Sequence, residues 1–92
     1  MKFLEIIEVR SHAAGYEQMR TELIQFANEI NASMGNESVR VYTRYHMQSD
    51  FSVHIEHSYE HSANEDSHAG SQLMRVLRDY GLVNRTVWIQ DT

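Results

Sequence analysis

The sequence predicts one α+β domain of order βαββαβ, a four-stranded antiparallel sheet with two helices on one face. Three observations carry that reading. Two segments show a helical apolar stripe, two adjacent segments alternate at period two, and β-branched runs stand at both ends of the chain. With 92 residues there is room for a single domain, residues 1–92.

Residues 3–10 (FLEIIEVR) are rich in β-branched and aromatic types and read as strand β1. From Tyr16 the period changes. Tyr16, Met19, Leu23, Phe26, Ala27, Ile30 and Met34 fall at steps of three and four, the stripe of an amphipathic helix α1 that Gly35 is expected to end. Residues 39–47 (β2) place Val39, Val41, Thr43, Tyr45 and Met47 opposite Arg40, Tyr42, Arg44 and His46. Residues 51–59 (β3) place Phe51, Val53, Ile55, His57 and Tyr59 opposite Ser52, His54, Glu56 and Ser58. The polar break Gln48-Ser49-Asp50 between them suggests a hairpin.

A second helix, α2, is expected over about 67–80, with Leu73, Val76, Leu77 and Tyr80 as its stripe. Gly81 and Leu82 then fit a Schellman ending. The last strand, β4, covers 83–90. Right-handed crossovers and the shared hairpin give a ferredoxin-like sheet with β1 and β3 central.

Strand β1 is apolar on both sides, which predicts burial on both faces. Placing Leu4 and Ile6 toward the helices keeps Glu5 out of the dry core. Phe3, Ile7 and Val9 then join Tyr42 and Trp88 on the open face. An apolar patch there predicts a homodimer that pairs through the sheet.

Composition narrows the function classes. Thirteen acids against eight Lys and Arg give a net charge of −5, which disfavours nucleic acid as a partner. The expected open face of β3 also lacks the aromatic rings on which RNA-binding βαββαβ domains stack bases. The absence of cysteine removes disulfides and thiolate metal sites, and fits a cytoplasmic location. No stretch approaches a membrane span.

Candidate chemistry gathers on the open face. His54 is the candidate base, with Glu56 or Glu5 to orient it, since imidazole titrates at about 6.5, close to working pH. Arg40 and Arg44, with Tyr42 and His46 beside them, suit an anionic or enolic small molecule. Phe3, Tyr42 and Trp88 would wall the pocket. The same charges also suit a plainer role as ion pairs that set dimer register, which makes the chain a non-enzymatic interaction or ligand-sensing module. His54, His57, His61 and His68, interleaved with Glu56, Glu60, Glu65 and Asp66, are nitrogen and oxygen donors of the kind metals take. Their spacing matches no recognised site, and Glu65 and Asp66 fit the positive end of α2, so no metal is expected.

The element order, the doubly apolar β1, and the run Asp79-Tyr80-Gly81-Leu82-Val83 before a strand bearing Trp88 resemble the dimeric α/β-barrel superfamily, which includes the antibiotic-biosynthesis-monooxygenase-like domains. The resemblance covers the whole chain and implies a homodimer of facing sheets with a pocket in each protomer. It implies a cofactor-independent monooxygenase or isomerase acting on a small organic molecule. The haem-degrading branch carries a tryptophan on a middle strand and a histidine on a helix. Here Trp88 falls on β4 and α2 has no histidine past His68, which counts against haem.

Overall fold

The computed structural model describes residues 2–11, 15–33, 37–57 and 68–92. Six elements follow in the expected order: β1 (Phe3–Ser11), α1 (Tyr16–Ala32), β2 (Glu37–Arg44), β3 (Met47–His57), α2 (His68–Leu77) and β4 (Gly81–Ile89). The sheet order is β2-β3-β1-β4, antiparallel throughout, with β1 and β3 central.

The core lies between the sheet and the helices. From α1 come Met19, Leu23 and Ala27, and from α2 Ala69, Leu73 and Leu77. They pack on Ile7, Val9, Val39, Phe51, Val53 and Ile55 of the three strands β1, β2 and β3. Full burial of side chains this size is worth about 1.5–3 kcal/mol each. Asn31 ties the end of α1 to β2. Its Nδ2 donates to the Val39 carbonyl (2.9 Å) and its Oδ1 accepts the Val39 N–H (2.8 Å), so one amide replaces a missing strand neighbour.

Three local expectations are corrected. The hairpin turns at Tyr45 and His46, not at Gln48-Ser49-Asp50, which lie inside β3. His46 adopts the left-handed conformation (φ 64°) that a turn of this kind needs, and a register shift at Thr43/Arg44 absorbs the change. The Schellman ending is absent: α2 stops at Leu77, Gly81 has no positive φ, and it opens β4 instead. Helix α1 ends at Ala32, with the Ser33 N–H bonded to the Glu29 and Ile30 carbonyls. Met34 and Gly35, expected at its end, lie outside the described residues.

The larger correction concerns the faces of β1. Phe3, Glu5, Ile7 and Val9 point into the sheet–helix core, and Leu4 and Ile6 lie part-buried on the open face. The expected arrangement was the reverse, chosen to keep Glu5 out of the core. Glu5 is nevertheless fully buried. A buried carboxylate is tolerable only when its oxygens are met by donors, and here they are.

Candidate functional site

Each strand contributes one ionisable side chain to a single transverse row on the helix-facing side. In register, Glu37 of β2 lies opposite His57 of β3. Glu5 on β1 is directly opposite Ile55 on one side and Val87 on the other, so His57 and Arg85 are its diagonal neighbours. Diagonal positions stand about 7–8 Å apart at the backbone, within reach of long side chains.

The contacts are close. His57 Nε2 is 2.6 Å from Glu5 Oε1, and Arg85 Nε donates to Glu5 Oε2 at 2.9 Å. His57 Nδ1 faces Glu37 Oε2 at 3.9 Å. Glu5 and His57 are both 0% exposed. The Phe3 ring lies flat on the imidazole, 4.2 Å between centroids and 14° between planes. The contact between Nε2 and Glu5 orients the imidazole, and the Arg85 guanidinium compensates the charge of the carboxylate.

The site expected on the open face is arranged differently. His54 sits mid-sheet, opposite Arg40 on β2 and Ile6 on β1. Its ring packs 4.6 Å from Tyr42 and its Nε2 lies 3.0 Å from Ser52 Oγ. Burial pulls its pKa below the ordinary 6.5, partly opposed by Glu8. Glu5 cannot orient it, because Glu5 is on the opposite side of the sheet. Glu56, exposed on the same face of β3, pairs in register with Leu4 and Ser38.

The other expected residues disperse. Arg44 approaches Asp50 (3.4 Å), which Arg10 also approaches (3.7 Å). These three line a broad basin of about 630 Å³ at one end of the open face. His46 packs against Tyr45 in the hairpin turn, 4.0 Å between ring centroids with the planes tilted by 50°. Phe3 is in the core and not a wall of an open-face pocket. Tyr42 and Trp88 stand on opposite edge strands, three strand spacings or about 14 Å apart, and cannot wall one small pocket together. Trp88, 59% exposed, donates to Thr86 Oγ1 at 3.1 Å. Beside it lies a notch of about 230 Å³ bordered by Leu4 and Glu56.

Among the described residues no group of three metal-ligating side chains converges. Glu60, His61, Glu65 and Asp66 lie outside those residues. No helix of the described residues is long and apolar enough to cross a membrane.

Sheet order, helix placement and chain direction define an α+β protein of ferredoxin-like fold. Comparison with solved structures agrees. Rv0793 from Mycobacterium tuberculosis matches with a TM-score of 0.76 at 12% identity, over 100% of this chain and 97% of that one. A conserved protein of unknown function from Bacteroides thetaiotaomicron, described as a possible oxidoreductase, matches with a TM-score of 0.73 at 9% identity, over 95% of both chains. At such identities the likeness is one of fold. No protein-family model and no curated protein matches the sequence.

Proposed function

We propose that this chain is a homodimeric α/β-barrel enzyme that acts on a small organic molecule without a cofactor, with His57 as its proton-transfer group. The carrying observation is the row Glu37, His57, Glu5 and Arg85, one residue from each strand, with Glu5 and His57 fully buried at its centre. Titratable groups held together in a dry interior are costly to keep and concentrate where chemistry is done. A likeness in fold to a protein described as a possible oxidoreductase supports the same direction.

The arrangement suits removal of a proton from a phenolic hydroxyl or from a carbon beside a carbonyl. His57 accepts that proton on its imidazole while Glu5 holds the ring and stabilises the imidazolium that forms. The substrate anion then gives electrons to dioxygen in an oxygenase, or regains its proton at another carbon in an isomerase.

Pairing through the open face is part of the reading. Tyr42, Leu82 and Trp88 are exposed there, with Leu4 and Ile6 between them. A second copy would cover this apolar surface, and C2 pairs are the commonest way to do so. A cytoplasmic location goes with it, supported by the cysteine-free composition.

Incubation with a panel of electron-rich phenols and enolisable ketones, with no metal or flavin added, tests the proposal. Expected is oxygen uptake or solvent deuterium exchange into substrate, lost in His57→Gln at unchanged folded content. Absence of both activities across the panel, or activity indifferent to His57→Gln, would leave a binding module in which the ionic row only ties the strands together.

A further inference from the structure

A proton gained by a fully buried His57 needs a route to solvent before the imidazole can act as a base again. Two of the three ionisable side chains that share its row cannot carry it out. Glu5 is 0% exposed and commits its two oxygens to His57 and Arg85. Arg85 reaches the surface in part, but a guanidinium keeps its protons at any working pH. Glu37 differs from both. It stands on edge strand β2 directly opposite His57, and its side chain is 23% exposed. Its Oε2 is nevertheless buried, has no hydrogen-bond partner among the described residues, and faces His57 Nδ1. One carboxyl group therefore keeps an oxygen in the dry row on a side chain that reaches water.

We propose that Glu37 is the proton exit of the row and carries hydrogen between His57 and solvent. The inference rests on the acid–base reading of His57; Glu37 touches no substrate and acts only through the imidazole. Once His57 has gained a proton both ring nitrogens carry one, so an N–H at Nδ1 faces Glu37 whichever nitrogen was protonated first. The separation of 3.9 Å is about 1 Å beyond a hydrogen bond. Rotation of the Glu37 side chain closes it, and at a partly exposed position that motion is fast beside turnover. The Nδ1–H bond breaks as the Oε2–H bond forms, leaving a neutral imidazole and a neutral carboxyl. Rotation back delivers the proton to water and restores the carboxylate. The same steps in reverse bring a solvent proton in.

An ion pair that merely ties β2 to β3 would use the same two residues, and it predicts the opposite response. Removing a tie loosens the end of the edge strand and speeds exchange of the hydrogens beneath it. Removing a carrier slows the exchange of the one group it serves.

The test is the exchange of the His57 ring N–H with water, followed by NMR magnetisation transfer in the whole protein carrying isotope-labelled histidine, with no substrate present. The signal is identified by its loss in His57→Gln. Glu37→Gln is expected to slow this exchange at least about tenfold at fixed pH, with the backbone amides of β2 and β3 as protected as in the wild type. Glu37→Asp, which keeps a carboxyl at shorter reach, is expected to recover part of the rate. Unchanged or faster exchange in Glu37→Gln overturns the proposal, and so does a Glu37→Asp rate no higher than that of Glu37→Gln. The measurement needs no turnover, whereas the acid–base reading is tested by the activity of His57→Gln, so each fails on its own data.

Discussion

Glu5 and His57 meet at 2.6 Å although they are not cross-strand partners; Glu5 faces Ile55 and His57 faces Phe3. The diagonal contact leaves the second oxygen of Glu5 free to turn the other way, to Arg85 on β4. One carboxylate thus joins both neighbours of the central strand, and its removal should be felt across the sheet. Glu5→Ala is expected to destabilise the fold by about 3–5 kcal/mol, because it leaves the buried His57 and the part-buried Arg85 guanidinium without that carboxylate. Glu5→Leu combined with Arg85→Met should recover most of the loss. Urea midpoints of the single and double variants measure this, and additive losses would show that the two side chains do not act as a pair.

The second prediction concerns the open face. Ile6→Glu and Trp88→Glu each place a carboxylate in the apolar patch without touching the helix-side core. Both should weaken self-association by about tenfold or more in sedimentation equilibrium while leaving the circular dichroism unchanged. A wild-type protein that stays monomeric at high concentration would end the paired-sheet reading.

Much of the fold was legible because periodicity reports burial directly. The stripe from Tyr16 to Ile30 and the alternation around Val39, Val53 and Ile55 could only be satisfied by helices and strands on one core. The faces of β1 were not legible from that strand alone, since Leu4 and Ile6 are as apolar as Phe3 and Ile7. The general penalty for burying Glu5 then decided the wrong way. What reverses the penalty is non-local: Arg85 is eighty residues distant, and only the register of β1 against both neighbours brings it and His57 to the same carboxylate. A signal was present nonetheless. His57 alternates with Val53 and Ile55 on the core side of β3, and a core histidine calls for a buried partner. The hairpin misled for a simpler reason. Gln48, Ser49 and Asp50 are turn-forming types, but they lie inside β3, between Met47, which pairs with Arg44 of β2, and Asp50, which pairs with Arg10 of β1.

His54 gives a pH prediction. Its folded-state pKa is lowered by burial, with Glu8 acting against the shift. Arg40, Tyr42 and Glu56 are the other ionisable groups around it on β2 and β3. A lowered value means the unfolded chain takes the proton more readily, so stability rises with pH through the window below 6.5 and is complete above it. As pH falls through the folded value that contribution is lost. Melting temperatures followed between about pH 5 and pH 8 should show this slope in the wild type and a flatter one in His54→Gln. Dimerisation through the same face would bury the ring further and steepen the slope with protein concentration. Parallel curves for the two proteins would sink the assignment.

Gly81 begins β4 directly against the end of β1, paired with Ser11. A Cβ added there would collide with the Arg10 carbonyl oxygen and lie 2.9 Å from Ser11 Cα, both backbone atoms that no rotamer change can move aside. The requirement is one of space, since Gly81 has no positive φ. Gly81→Ala must therefore shift the start of β4 off β1, at a cost of about 1–3 kcal/mol from overpacking. The shift also acts on Arg85, four residues along the same strand, and through it on Glu5. Gly81→Ala should accordingly lower both the urea midpoint and the hydrogen-exchange protection of the first residues of β4, and Gly81→Ser should match it. Gly15, whose added Cβ would meet only the Tyr80 ring at 3.8 Å, is the control expected to tolerate alanine. Equal stability of the two alanine variants would show that the strand end yields without loss.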